Sequence, residues 1–194
     1  MSLVIMLIRH AEKPIGDEPP HGVAPDGVAD AESLTTRGWQ RAGALVGLFA
    51  PCDHDRPCRS ILPTPTHLLA SKVGADSSSR RPMQTLQPLA DRLGLDIDTR
   101  FLKEQAADVV DAIRMMDGVV LVSWEHRLIS SMAARIVGDA AEVPDPWPSD
   151  RYDLVWVFEP SATGDGFGFR QVPQLLLAGD RADPIVASIE TSTG

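Results

Sequence analysis

Apolar positions along this chain recur with two different periods. Leu3-Val4-Ile5-Met6-Leu7-Ile8 is an unbroken apolar run that stops at Arg9, which reads as a strand buried on both faces. Val119-Val120-Leu121-Val122, set between Gly118 and Ser123, is a second such run. His67 to Ser71 reads as a shorter strand and Leu95 to Asp98 as a brief one. Between these runs the spacing becomes helical. Trp39, Ala42, Leu45, Val46 and Phe49 share one stripe, behind Thr35 or Thr36, either of which can cap a helix. Met83, Leu86, Ala90 and Leu93 form another stripe, opened by Ser77-Ser78-Ser79 and Pro82 and closed by Gly94. From Glu104 to Met116, the residues Ala106, Val109, Val110 and Ile113 predict a third helix. Ile129, Met132, Ala133, Ile136 and Val137 mark a fourth, after the 118–123 strand. Tyr152 to Phe158 and Phe167 to Val172 read as two strands joined through the Thr163-Gly164-Asp165-Gly166 turn.

Strands alternating with helices predict one α/β domain over residues 1–194, its sheet mostly parallel with a late antiparallel element. No internal repeat or linker interrupts it. Residues 13–34 and 50–66 have no apolar period and are rich in turn formers, so both are expected to be long loops, a class that often forms lids or binding loops. The hydrophobic share of 43% is enough for a core without disulfides or metals. The formal net charge of -9 argues against nucleic acid or an anionic membrane as partner, but leaves room for a small cationic pocket. The opening apolar run is too short to span a bilayer and lacks a basic leader, so a cytoplasmic protein is expected. Cys52 and Cys58, with His54 between them, are too few ligands for a metal site and read as reduced thiols.

In sheets of this kind, ligands bind beyond the carboxyl ends of the strands. Arg9-His10 ends the first strand, Arg81 opens a helix, and His126 follows the 118–123 strand. Helix N-termini at the same rim would add backbone donors and positive dipole ends. Two arginines and two histidines around one point suit a tetrahedral phosphoryl group. Arginine binds phosphate oxygens in bidentate fashion, and histidine serves as nucleophile or charged clamp.

Four segments also resemble the blocks of a known family. Leu7-Ile8-Arg9-His10-Ala11-Glu12 resembles the Arg-His-Gly signature of the histidine phosphatase (phosphoglycerate-mutase-like) superfamily, with Ala11 in the glycine position. Leu34-Thr35-Thr36-Arg37-Gly38 with Gln40-Arg41-Ala42 is similar to its next block. Ser77 to Leu89, with Arg81-Pro82-Met83-Gln84-Thr85, is similar to the third. Val120 to His126 resembles the strand that delivers a second histidine. The blocks run in order over residues 3–137.

The resemblance implies a three-layer α/β/α sandwich with its site at the C-terminal strand edge. It implies a phosphohistidine on His10, a phosphate pocket of Arg9, Arg81 and His126, and no need for a metal or cofactor. The substrate would be a small phosphomonoester or a phosphoprotein; a mutase and a catalytically weak phospho-ligand binder are the alternatives. Phe101-Leu102-Lys103-Glu104 is similar to the segment that carries the general acid in the mutase-like branch, although the Gly-x-Trp-Glu-Gly continuation is missing. Glu104 is therefore the expected acid, ahead of Glu125, Asp153 and Glu12. Lys13, Glu125 and Trp147 are expected to touch the substrate, Arg80 to lie on the surface, and His21, His54 and His67 to play no catalytic part.

Overall fold

The computed structural model describes residues 2–51, 61–74, 77–139, 143–161 and 166–186. Cys52, His54, Cys58 and residues 163–165 of the expected turn lie outside them. The elements run β1 (Val4–Arg9), α1 (Thr36–Phe49), β2 (His67–Ala70), α2 (Arg81–Leu93), β3 (Ile97–Asp98), α3 (Ala106–Ile113), β4 (Val119–Trp124), α4 (His126–Val137), β5 (Leu154–Pro160) and β6 (Phe167–Pro173). The strands form one sheet in the order β3-β2-β4-β1-β5-β6. β1, β2, β3 and β4 are parallel to their neighbours among themselves; β5 runs antiparallel to β1 and β6 antiparallel to β5. Among the described residues no helix is long and apolar enough to cross a membrane.

The two-residue period of the strands divides the apolar side chains between two cores. Ile5 and Leu7 of β1, Val120, Val122 and Trp124 of β4, and Trp156 and Phe158 of β5 face one way. There they meet Val109, Val110 and Ile113 of α3 and Ile129, Met132, Ala133 and Ile136 of α4. Met6, Ile8, Leu68, Leu121, Val155 and Val157 face the other way, onto Leu45 and Phe49 of α1 and Leu86, Leu89 and Ala90 of α2. The result is three layers, with α3 and α4 on one face of the sheet and α1 and α2 on the other. The central strands are continuous apolar runs because both their faces are covered.

Local signals set most boundaries. Thr35 caps α1, its side chain accepting from the Gly38 N–H at 3.2 Å. Gly94 and Gly138 end α2 and α4 in the left-handed conformation, at φ 66° and 87°. Two helices differ from expectation. α2 begins at Arg81 with no side-chain cap, so the serines at 77–79 do not cap it. α3 starts at Ala106 and not at Glu104, because Gln105 Oε1 accepts from the Leu102 N–H and holds residues 102–105 in a turn ahead of the helix, and it ends at Ile113, short of Met116.

Candidate active site

The parallel register builds the site. Ile8 and Ala70 both stand opposite Ser123, and Arg9 stands opposite Trp124. The next residues past these strand ends are His10, Ser71 and Glu125-His126, on three adjacent strands spaced about 4.8 Å apart. The His10 N–H extends the ladder by donating to the Trp124 carbonyl at 3.0 Å. His10, Ser71, Glu125 and His126 all line one cavity of about 310 Å³.

α2 completes that cavity and holds the chain on either side of it. Arg81 lines it from the first turn of the helix, donating to Ser79 Oγ at 3.2 Å and to the carbonyls of Ser33 and Ala31. Thr85, one turn further on, donates to the Arg81 carbonyl at 2.7 Å and accepts from the buried Ala11 N–H at 2.8 Å. Gln84 accepts from the Leu34 N–H and donates to Ser33 Oγ. The Gln-Thr pair thus ties the residue after His10 and the 33–34 segment to the same helix turn. α1 presses on that segment from the other side. Thr35 donates to the Glu12 carbonyl through both N–H and Oγ1. A Cβ at Gly38 would lie 2.5 Å from that same oxygen, so only glycine allows the approach.

His10 is 5% exposed. Its Nδ1 is 2.8 Å from the Ala11 carbonyl oxygen; a carbonyl can only accept, so Nδ1 carries the proton and Nε2 keeps its lone pair. Burial, reinforced by the positive charges of Arg9, Arg81 and Lys13, pushes the His10 pKa down to about 3. Burial, followed by Arg9, Arg127 and Lys13, pushes that of His126 down to about 4. His126 Nδ1 and Arg9 Nε are buried without a hydrogen-bond partner among the described residues.

The other expected site residues fall into two groups. Lys13 and Glu125 line the cavity. Arg9 is close enough to depress both histidines but is not in the cavity lining. It follows the alternation of Ile5 and Leu7, away from His10, and its guanidinium donates to the carbonyls of Ser149 at 2.5 Å and Arg151 at 3.2 Å and to the Tyr152 hydroxyl at 2.9 Å. The Tyr152 ring lies 3.7 Å beneath it.

Glu104 is absent from the lining; it is 54% exposed and pairs with Lys103 at 3.5 Å. The 102–105 turn sends Lys103 into the cavity and its neighbour to solvent. Trp147 is 2% exposed; it packs on Trp156 with ring centroids 4.7 Å apart and donates to the Arg151 carbonyl, so it is a core residue and not a pocket wall. Glu12 is held by Arg41 at 2.9 Å and Asp153 by Arg151 at 2.7 Å, and neither lines the His10 cavity. Arg80 is exposed and pairs with Asp30.

Glu32, Ser71 and Lys103 line the cavity without having been singled out in the sequence. Ser71 was findable, since it follows a parallel strand just as His10 does. Glu32 sits in the 13–34 loop, where composition marks no single residue. Among the described residues, no group of acids, histidines and cysteines is placed to hold a metal ion.

No family model matches the chain, and no curated protein matches it in sequence. Solved structures do match. The protein histidine phosphatase SixA, complexed with tungstate, is 17% identical, with a TM-score of 0.52 over 88% of this chain and 97% of that one. A candidate alpha-ribazole-5'-P phosphatase from Escherichia coli is 14% identical, with a TM-score of 0.54 over 89% and 97%. YhfR from Bacillus stearothermophilus is 13% identical, with a TM-score of 0.52 over 85% and 94%. The chain therefore has the fold of the histidine phosphatases, the phosphoglycerate-mutase-like architecture that its four sequence blocks resemble.

Proposed function

We propose that this chain is a phosphatase that hydrolyses a phosphomonoester or phosphoprotein through a phosphohistidine on His10. The observation that carries the reading is the state of His10. It is neutral, its free nitrogen is Nε2, and it shares a cavity with Arg81 and His126. The fold shared with SixA and the Escherichia coli protein supports the same reading.

In the first step the Nε2 lone pair attacks phosphorus. An N–P bond forms, the bond from phosphorus to the leaving oxygen breaks, and that oxygen takes a proton. In the second step water attacks the phosphohistidine, gives up a proton, and releases inorganic phosphate and neutral His10. In this reading the Arg81 guanidinium supplies fixed positive charge and the neutral His126 imidazole an N–H donor to the phosphoryl oxygens, and pre-placed donors of this kind are the main source of catalysis in phosphoryl transfer. Arg9, anchored by Ser149, Arg151 and Tyr152, contributes its charge from outside the cavity lining.

Glu125 is the carboxyl next to His126 that lines the cavity, and it takes the role of proton donor and acceptor in place of Glu104. Turnover of a phosphomonoester by the wild type and by His10→Ala tests the proposal. The substitution is expected to lower kcat by at least a thousandfold; activity retained within tenfold would overturn it.

A further inference from the structure

We infer that the His10 cavity is built for a small polyhydroxylated phosphomonoester, of the sugar-phosphate or cyclitol-phosphate class; this rests on reading the cavity as a phosphatase site. Small-molecule sites are ordinarily lined mainly by apolar and aromatic side chains. Here, among the described residues, Pro82 is the one apolar lining residue and no phenylalanine, tyrosine or tryptophan ring takes part. Apart from the two imidazoles and the Arg81 guanidinium, which this reading assigns to the phosphoryl group, nothing in that wall can stack on a nucleobase or an aryl group.

Beyond the two histidines the wall presents the carboxylates of Glu32 and Glu125, the ammonium of Lys103, and the hydroxyls of Ser71, Ser77 and Ser78. A ligand hydroxyl donates to a carboxylate, accepts from an ammonium, and does either with serine. A ring carrying several hydroxyls satisfies all three kinds of group. A hydrocarbon ring satisfies none and would strip them of water without replacement.

Charge narrows the class further. Glu32 lies 3.5 Å from Arg81, and Lys103 lies 3.9 Å from Glu125 and 3.5 Å from Glu104. The ammonium of Lys13 belongs with Arg81 and Arg9 to the cluster of cations around His10, and Lys103, the other ammonium of the wall, already faces carboxylates. That arrangement disfavours a second phosphate or carboxylate on the ligand and favours neutral hydroxyls. A cavity of about 310 Å³ is at the small end for ligand sites, which suits one ring and its phosphate.

Calorimetric binding to the full-length chain tests this, in a His10→Ala background so that nothing is turned over. The probes are myo-inositol 1-phosphate and cyclohexyl phosphate, two six-membered-ring monoesters that differ in their hydroxyls. Two or three added hydrogen bonds predict tighter binding of the inositol ester by about tenfold or more. Glu32→Gln and Ser77→Ala, each added to that background, are expected to narrow the ratio several-fold. Equal affinities, including no measurable binding of either ester, would overturn the inference. So would tighter binding of the cyclohexyl ester, or a tenfold preference for a ring bisphosphate or a phosphopeptide over the inositol monoester. Selective binding in a chain whose wild type forms no phosphohistidine would refute the hydrolytic reading alone and leave the ligand class standing.

Discussion

A histidine that attacks phosphorus must be neutral and must present a nitrogen with a free lone pair. In this chain one backbone carbonyl, that of Ala11, meets the second requirement, and burial, reinforced by nearby cations, meets the first. The remaining need is a proton for the leaving oxygen, and at the scale of single residues it separates two glutamates. Glu125 lines the cavity and Glu104 does not. Glu125→Gln is therefore expected to slow hydrolysis of an alkyl phosphate by roughly a hundredfold or more, a typical general-acid contribution. It should affect a nitrophenyl phosphate, whose leaving group needs little help, far less. Glu104→Gln should leave both rates within about twofold, and a leaving-group effect at Glu104 in place of Glu125 would reverse the assignment.

The places of His10, Arg81 and His126 around one cavity were legible because each sits where a strand ends or a helix begins, whereas Arg9, on the opposite side of β1 from His10, lies outside the lining. Which side chain of the Lys103-Glu104 pair enters the cavity was not legible, because the two are adjacent and a turn decides which of them faces it. Trp147 was misjudged for a related reason, since an aromatic residue in a proline-rich segment looks the same whether it packs inward or lines a pocket.

At the scale of elements, α2 does more than bury Leu86 and Leu89. Its first turn supplies Arg81, and Thr85 holds the amide of the residue after His10. Thr85→Val keeps the shape and removes both hydrogen bonds of the hydroxyl. It leaves the buried Ala11 N–H without a partner, a loss of about 1–3 kcal/mol in urea denaturation. Because reacting groups displaced by a fraction of an ångström lose rate steeply, kcat should fall about tenfold to a hundredfold while KM changes little. A variant as unstable as predicted but with unchanged kcat would show that Thr85 supports the fold without positioning His10. The stripes of α1, α2 and α4 and the apolar runs of β1 and β4 were readable because burial on a helix face or in a central strand leaves a strict period. The serines at 77–79 misled, because a run of small hydroxyl residues before a helix is the same signal whether it caps the helix or lines a cavity.

For the molecule as a whole, the buried histidine links the site to stability. The unfolded chain protonates a histidine near pH 6.5, whereas folded His10 resists protonation down to about pH 3. Between those values the unfolded state binds more protons, so stability falls as pH falls. The contribution of His10 is fully present above about pH 6.5 and is lost progressively toward pH 3. In urea denaturation between pH 7 and pH 4.5, the wild type should lose on the order of 3 kcal/mol more than His10→Gln. Equal losses would mean that His10 is not held neutral.

The same scale shows what a single sequence leaves open. Alternating strands and helices pointed to an α/β sheet, but the order that sets β4 between β1 and β2 depends on contacts between residues more than fifty positions apart. That order brings His10, Ser71 and His126 onto one rim.

The most direct test of the account is to trap the wild-type chain during turnover and locate the phosphoryl group by phosphorus NMR and mass spectrometry. The prediction is an acid-labile phosphoramidate on Nε2 of His10, because Nδ1 is committed to the Ala11 carbonyl. A phosphoryl group on Nδ1 or on another residue, or steady turnover with no covalent phosphoenzyme, would contradict it.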